Sequence, residues 1–352
     1  MNLKKTSIAA LLLLPLPLVG FISRGDAVAF EPAEGTSVSK SLTLEATFYL
    51  DDMSMVVDGQ EMPGDMFGGG MDQAMLVSVA MGVTDEYVKS GSNRMQSLLR
   101  TYDDLSLEVG VESDSQDVEK FGDLEGSTVS FKWDDESDEY TKSFHESEGD
   151  EAILEALEAD MDFLALLPEG EVSEGDTWEV KGEGLHSIFF PGGMPVDPSG
   201  GETAADAQEM AELFKEELEG QLKEAFGEFT VECTYKGASN RGDTRLGTIA
   251  FKFEGEADID LTEVVMAAIE LQGGEMGIEA DLTATLGLEF DGEGTLIWGL
   301  ADGHVSNFAM ESELIVNVAV DGEVDAMGES HSFDLSAEVS GEATWSMETD
   351  AE

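Results

Sequence analysis

Over the last third of the chain, apolar and polar residues alternate across distances that few folds can accommodate. Ile278, Ala280, Leu282, Ala284, Leu286, Leu288 and Phe290 share one parity, while Glu279, Asp281, Thr283, Thr285 and Glu289 take the other. Phe308, Met310, Leu314, Val316, Val318 and Val320 repeat the pattern, as do Phe333, Leu335, Ala337, Val339, Ala343, Trp345 and Met347. A period of two sends successive side chains to opposite faces, so each segment reads as a strand with one dry side. A strand of about 13 residues extends ~44 Å, far beyond the usual length of about five or six. An apolar face of that size cannot stay wet, so the sheet must curl or be covered. Asp291-Gly292, Asp302-Gly303 and Asp321-Gly322 read as turns between these strands, which makes the set an antiparallel meander.

The same period appears earlier. Phe229, Val231, Cys233 and Tyr235 alternate with acids and threonines, and Ile249, Phe251, Phe253, Ala257 and Ile259 follow after a loop as a pairing strand. Near the N-terminus, strands are predicted through Leu42 to Leu50, Met75 to Val83 and Leu105 to Val111, with Ser90-Gly91-Ser92-Asn93 as a turn. Two amphipathic segments break the pattern. Leu154, Leu157, Met161 and Leu164 predict a helix over 151–167 that stops at Pro168. Met210, Leu213, Phe214, Leu218, Leu222 and Ala225 predict another over 204–226, capped by Thr203 and lying against the dry side of the sheet. A third helix is predicted over 262–271, although Val264, Val265 and Ile269 suit a strand equally well. The fold class is therefore α+β, mainly β: long, curved antiparallel sheet packed against a few amphipathic helices. A Pro/Gly-rich stretch over 191–203 divides an N-terminal β-rich part, 30–190, from a C-terminal part, 204–352.

Residues 1–29 read as an export signal. Lys4 and Lys5 precede an apolar stretch from Ile8 to Ile22, and Ala27-Val28-Ala29 supplies the small residues of a cleavage site. The apolar stretch is broken by Pro15 and Pro17 and is shorter than the roughly 20 residues of a spanning helix. The expected location is periplasmic or extracellular, without an integral membrane segment in the mature chain. Cys233 is the single cysteine, so no internal disulfide can hold the exported chain and its stability must come from a core.

The chain carries 77 acidic residues against 17 basic ones, a formal charge of −60. Spread over roughly 13,000 Å² of folded surface, these charges lie ~14 Å apart. Each neighbouring pair then repels by ~0.3 kcal/mol in water, and physiological salt damps the repulsion because the Debye length is only ~8 Å. A field of this sign disfavours nucleic acid and anionic membranes as direct partners. Because the acids are dispersed, a solvated, salt-adapted surface is the leading explanation; Ca²⁺ binding at 112–117 or 134–139 is the alternative, though neither cluster has the glycine and terminal glutamate of an EF-hand loop.

No catalytic, cofactor or metal residue is assigned. His145, His186, His304 and His331 show no metal-ligand spacing, and His304 and His331 fall at predicted turns, where a solvated ring is expected. Cys233 lies on the apolar parity of its strand, which favours a buried, inert thiol. Ser37-Val38-Ser39-Lys40 matches a Ser-x-x-Lys pattern without the accompanying motifs of penicillin-recognising enzymes. Arg241-Gly242-Asp243 reads as a plain turn rather than an adhesion tripeptide.

The segment from Leu167 to Trp178, with its Leu-Pro stop and Gly175-Asp176-Thr177-Trp178 turn, resembles a phrase in uncharacterised exported bacterial β-rich proteins. A late Gly-x-Leu-x-Trp strand, here from Gly294 to a turn at Gly303, is also similar. The resemblance implies a secreted, β-rich protein and brings no activity with it. Together these readings predict a non-enzymatic exported protein with a binding or structural role in the envelope or outside the cell, and no cofactor. A carrier of an apolar ligand such as lipid, held between sheet and helix, is the second expectation.

Overall fold

The structure, a computed structural model, describes residues 25–62, 74–91, 94–111, 114–117, 121–181, 186–193, 221, 229–273, 279–326 and 329–351. The strands are β1 (Asp26–Ala27), β2 (Thr36–Val57), β3 (Gln60–Glu61), β4 (Met75–Gly91), β5 (Arg94–Val111), β6 (Asp114–Asp117), β7 (Thr128–Asp134) and β8 (Glu139–Phe144). They continue with β9 (Glu171–Val172), β10 (Thr177–Lys181), β11 (Thr230–Arg241), β12 (Thr244–Asp260), β13 (Glu279–Gly299), β14 (Val305–Ala326) and β15 (Glu329–Ala351). Thirteen of them form one antiparallel sheet, with the path β10-β11-β12-β13-β14-β15-β2-β4-β5-β7-β8 and with β3 and β6 attached to β2 and β5. Two meanders, one from each half of the chain, are joined where β15 pairs with β2 in the middle of the sheet. The edges β10 and β8 are five and six residues long, and such short edges offer little template for further pairing.

The central strands outrun the sequence reading. β13, β14 and β15 hold 21, 22 and 23 residues, so the last spans roughly 75 Å. Asp291-Gly292 and Asp321-Gly322, expected as turns, lie inside β13 and β14; only Asp302-Gly303 turns the chain. The reason lies in what covers the glycines. A Cβ on Gly292 would meet the ring of Phe253, one on Gly294 the ring of Phe251, and one on Gly341 the ring of Phe48. Aromatic rings of neighbouring strands thus lie across bare backbone, which fills the gap a strand glycine leaves. Register shifts at Tyr235/Gly237, Ile297/Trp298, Glu338/Val339 and Gly82/Val83 add the local twist of β-bulges.

Among the described residues the sheet is accompanied by the short helices α1 (Glu151–Glu155), α2 (His186–Phe189) and α3 (Thr262–Gly273). The helix over 262–271 is therefore present. The one predicted over 151–167 is not: after α1 the chain runs irregularly to a short 3-10 turn at Leu164–Leu166, although Leu154, Leu157 and Met161 are still buried. The segment predicted over 204–226 lies outside the described residues apart from Gln221, whose Nε2 donates to the carbonyl of Asp260. The stretch 191–203 is described only to Gly193, and strands from either side of it share the sheet, since β10 pairs with β11.

Two cores follow. The large one gathers Phe30, Tyr87, Leu98, Phe131, Phe163, Val231, Phe251, Trp298 and Phe308, with Phe163 stacked on Phe308 at 3.7 Å between ring centroids. The small one sits at the far ends of the long strands, where Val265, Met266 and Ile269 of α3 cover Leu282, Ala284 and Val320. Thr262 ties that helix to β13 by accepting the amide of Ala284. Between the cores the dry face is half-buried through Leu286, Leu288, Phe290, Val316, Val318 and Val339.

Candidate functional site

Inward-facing positions of β2, β4 and β5 carry charge where the strand pattern calls for apolar residues. Lys40, Asp85 and Arg100 are 2%, 0% and 0% exposed. An isolated buried charge is prohibitively costly, so the partners decide whether such a group is tolerated. Asp85 takes a two-pronged contact from Arg100, Nε at 2.6 Å and Nη2 at 2.9 Å, and a third from Lys40 at 2.9 Å. Lys40 reaches on to Asp162 at 2.9 Å. Asp162 also accepts the hydroxyl of Tyr87, at 2.9 and 3.0 Å to its two oxygens, and the amide of Val305 at 3.3 Å.

The guanidinium's remaining donors explain the missing helix. Arg100 Nη1 donates to the carbonyl of Glu158 and Nη2 to that of Ala159, at 2.9 and 3.0 Å. The Asp160 carboxylate accepts the amides of Asp162 and Leu164, and Phe163 sits at a left-handed φ of 55°. Side-chain partners thus take backbone groups that a helix over 151–167 would pair within itself. The segment becomes an irregular plug, pinned to the sheet through Arg100, Lys40 and Tyr87.

The electrostatics agree with the geometry. Burial pushes the Asp85 carboxyl up, but Arg100 and then Lys40 outweigh it and hold it below the usual carboxylate range. Burial lowers Lys40, and the Asp162 and Asp85 carboxylates more than compensate and raise it. Asp160 is pushed up to about 6 by its burial and then by the nearby Asp162 carboxylate. Every charge here is committed to a partner inside the protein, so the cluster clasps the plug to the sheet.

Beside the plug, a narrow cleft of about 30 Å³, room for a water-sized group, lies against the dry face of β2, β4 and β5. Leu42, Leu44, Val79, Met81 and Leu105 form its floor, and Phe189, Phe190 and Pro191 its roof. The roof is anchored where Trp345 Nε1 donates to the carbonyl of Phe189 at 3.2 Å. Among the described residues no titratable side chain lines the cleft. Along β4 the same parity continues to Met75, which is 44% exposed.

The residues singled out from sequence fall elsewhere. Ser37 and Lys40 point to opposite sides of β2, with Val38 and Lys40 buried and Ser37 half-buried, so they form no dyad. Cys233 is fully buried, and burial pushes its thiol up to about 12. His304, expected to be solvated, is only 5% exposed: it stacks on Tyr87 with its Nδ1 2.7 Å from the carbonyl of Val305. His331 lies within β15, not at a turn, and its Nδ1 is 2.8 Å from Asp58. His186 pairs with Glu158 at 2.9 Å, and His145 is exposed. Gly242-Asp243 forms the hairpin turn between β11 and β12. Asp134 to Glu139 form the β7–β8 hairpin, and the 112–117 cluster is described only as β6. Among the described residues no group of three or more His, Cys, Asp or Glu gathers to hold a metal ion, and no helix is long and apolar enough to cross a membrane.

No family model and no curated protein matches the chain. Among solved structures, a chain described as "Asymmetric conductivity of engineered proteins" is similar over 88% of this chain and 99% of its own, at 8% identity and a TM-score of 0.16. OccAB4 of Acinetobacter baumannii is similar over 92% of this chain and 99% of its own, at 8% identity and a TM-score of 0.13. At this level the likeness carries no argument about fold or function.

Proposed function

We propose that this is an exported, non-catalytic binding protein whose ligand is an apolar or amphipathic molecule, such as an acyl chain, held on the dry side of the curved sheet. The observation that carries the reading is a cleft whose described lining is apolar and which is continuous with a half-buried apolar face. Ligand sites are predominantly apolar concavities, and binding there releases ordered water from both surfaces; a ligand would have to extend from this narrow cleft along the half-buried face beside it. The buried ionic groups support the same reading, because each is saturated by protein partners and none is presented to the cleft. The acidic outer face keeps such a particle soluble despite the greasy interior.

The test is native mass spectrometry, with solvent extraction, of protein recovered from an exporting bacterium, followed by titration with a fluorescent fatty acid. Copurified lipid, saturable probe binding and at least a tenfold loss of affinity in Val79→Trp, which fills the cleft, are expected. A ligand-free protein that binds no probe would overturn the proposal. Robust turnover of a hydrolase substrate, abolished by one point substitution, would overturn its non-catalytic part.

A further inference from the structure

The described fold begins before Phe30. Asp26–Ala27 form β1, paired with Glu171–Val172 of β9, and β9 pairs with no other strand in the described residues. The Asp26 carboxylate accepts the Tyr235 hydroxyl at 2.8 Å and meets Arg245 at 2.6 Å. The carbonyl of Ala29 accepts Trp298 Nε1 at 3.2 Å. Val28 is 2% exposed and Phe30 has no exposed surface, its ring packed edge-on against Tyr87.

A cut after Ala29 would delete β1, leave Trp298 Nε1, Tyr235 and Arg245 without these partners, and vacate the site of Val28. It would also place the new α-ammonium on a residue with no water contact, where an unpaired charge is strongly disfavoured. The chain offers a second site four residues upstream, also flanked by small residues. Ser23-Arg24-Gly25 has small side chains at the same two positions as Ala27-Val28-Ala29. A terminus created there falls on Asp26, which is half-exposed and followed by the exposed Ala27, so its ammonium stays wet.

Resting on the export reading, we propose that the leader is removed between Gly25 and Asp26, by hydrolysis of that peptide bond, and that Asp26 to Ala29 belong to the mature fold. The full-length chain, carrying its own leader, is expressed in a bacterium and the N-terminus of the exported protein is read by intact mass and terminal sequencing. A start at Asp26 is expected, with processing blocked in Gly25→Phe and unchanged in Ala29→Phe. A start at Phe30, lost in Ala29→Phe, would overturn the site while leaving export intact. Recovery of the unprocessed chain of 352 residues would overturn both. Lipid binding by the recovered protein is scored separately, so it fails or holds independently of the cleavage site.

Discussion

The two ends of the sheet obey the same alternation and are finished in opposite ways. At the end that holds the large core, β2, β4 and β5 hold an irregular plug, and Lys40, Asp85, Arg100 and Asp162 clasp it with charge-assisted contacts no longer than 3.0 Å. At the far end, among the described residues, Val265, Met266 and Ile269 of α3 cover Leu282, Ala284 and Val320, with no buried ion pair. The comparison teaches that a dry face does not specify its own cover. Apolar packing tolerates a range of lids, whereas a buried ionic clasp accepts one geometry, because any misplacement leaves a charge unpaired.

The sharpest way to break the comparison is to remove one partner from the clasp. Asp85→Ala strands Arg100 and Lys40, and a loss of about 3–5 kcal/mol in urea unfolding is expected. A cost below about 1 kcal/mol would mean that the clasp contributes nothing particular. At the far end, Leu282→Ala is expected to cost about 2–3 kcal/mol by lost burial and cavity formation, the lower part of the usual range because α3 can settle into the space. If it unfolds the closed end equally, by hydrogen exchange, the two cores are a single cooperative unit.

Within the clasped end, two aspartates respond to acid in opposite directions. Asp160 titrates near 6 in the folded protein, above its unfolded value. Its contribution to stability is therefore complete below about pH 4 and is lost as pH rises through 6. Asp85, held low, works in the opposite direction and withdraws its contribution only in stronger acid, as pH falls through its depressed value. Relative to Asp160→Asn, the natural protein should gain about 1–3 kcal/mol between pH 7 and pH 4.5. A difference that stays flat across that window would contradict the raised value. The smallest effect concerns both ends together: raising NaCl from about 10 mM to 1 M should lift the thermal midpoint by a few °C, by screening the outer carboxylates. A flat or falling midpoint would remove surface repulsion from the account.

The alternation at Phe308 to Val320 and Phe333 to Met347 made the long one-sided strands legible, and the pairing of β11 with β12 followed from the same signal. The clasp was not legible. Apolar periodicity in β4 runs to Val83 and in β5 resumes at Leu105, so the strands seemed to stop there. Asp85 continues the buried parity of Val83, while Arg100 shares that of Leu98 and Tyr102, offset from Leu105 by a register shift, and a charge at such a position breaks the very pattern that marks a strand. The available signal was weak: Lys40, Asp85 and Arg100 each keep the inward parity of their neighbours. The predicted 151–167 helix failed for the same reason, since its apolar spacing was real but Arg100 competes for the carbonyls of Glu158 and Ala159.

By itself the sequence determined that this chain forms long antiparallel strands with a greasy side and a carboxylate-rich side, because side-chain direction along a strand is set by local geometry. Tertiary structure alone decided what closes that greasy side, which aspartates lie buried against Lys40 and Arg100, and where an apolar cleft remains. Those outcomes depend on residues 15 to 122 positions apart meeting within hydrogen-bond distance, and no local pattern encodes such a meeting.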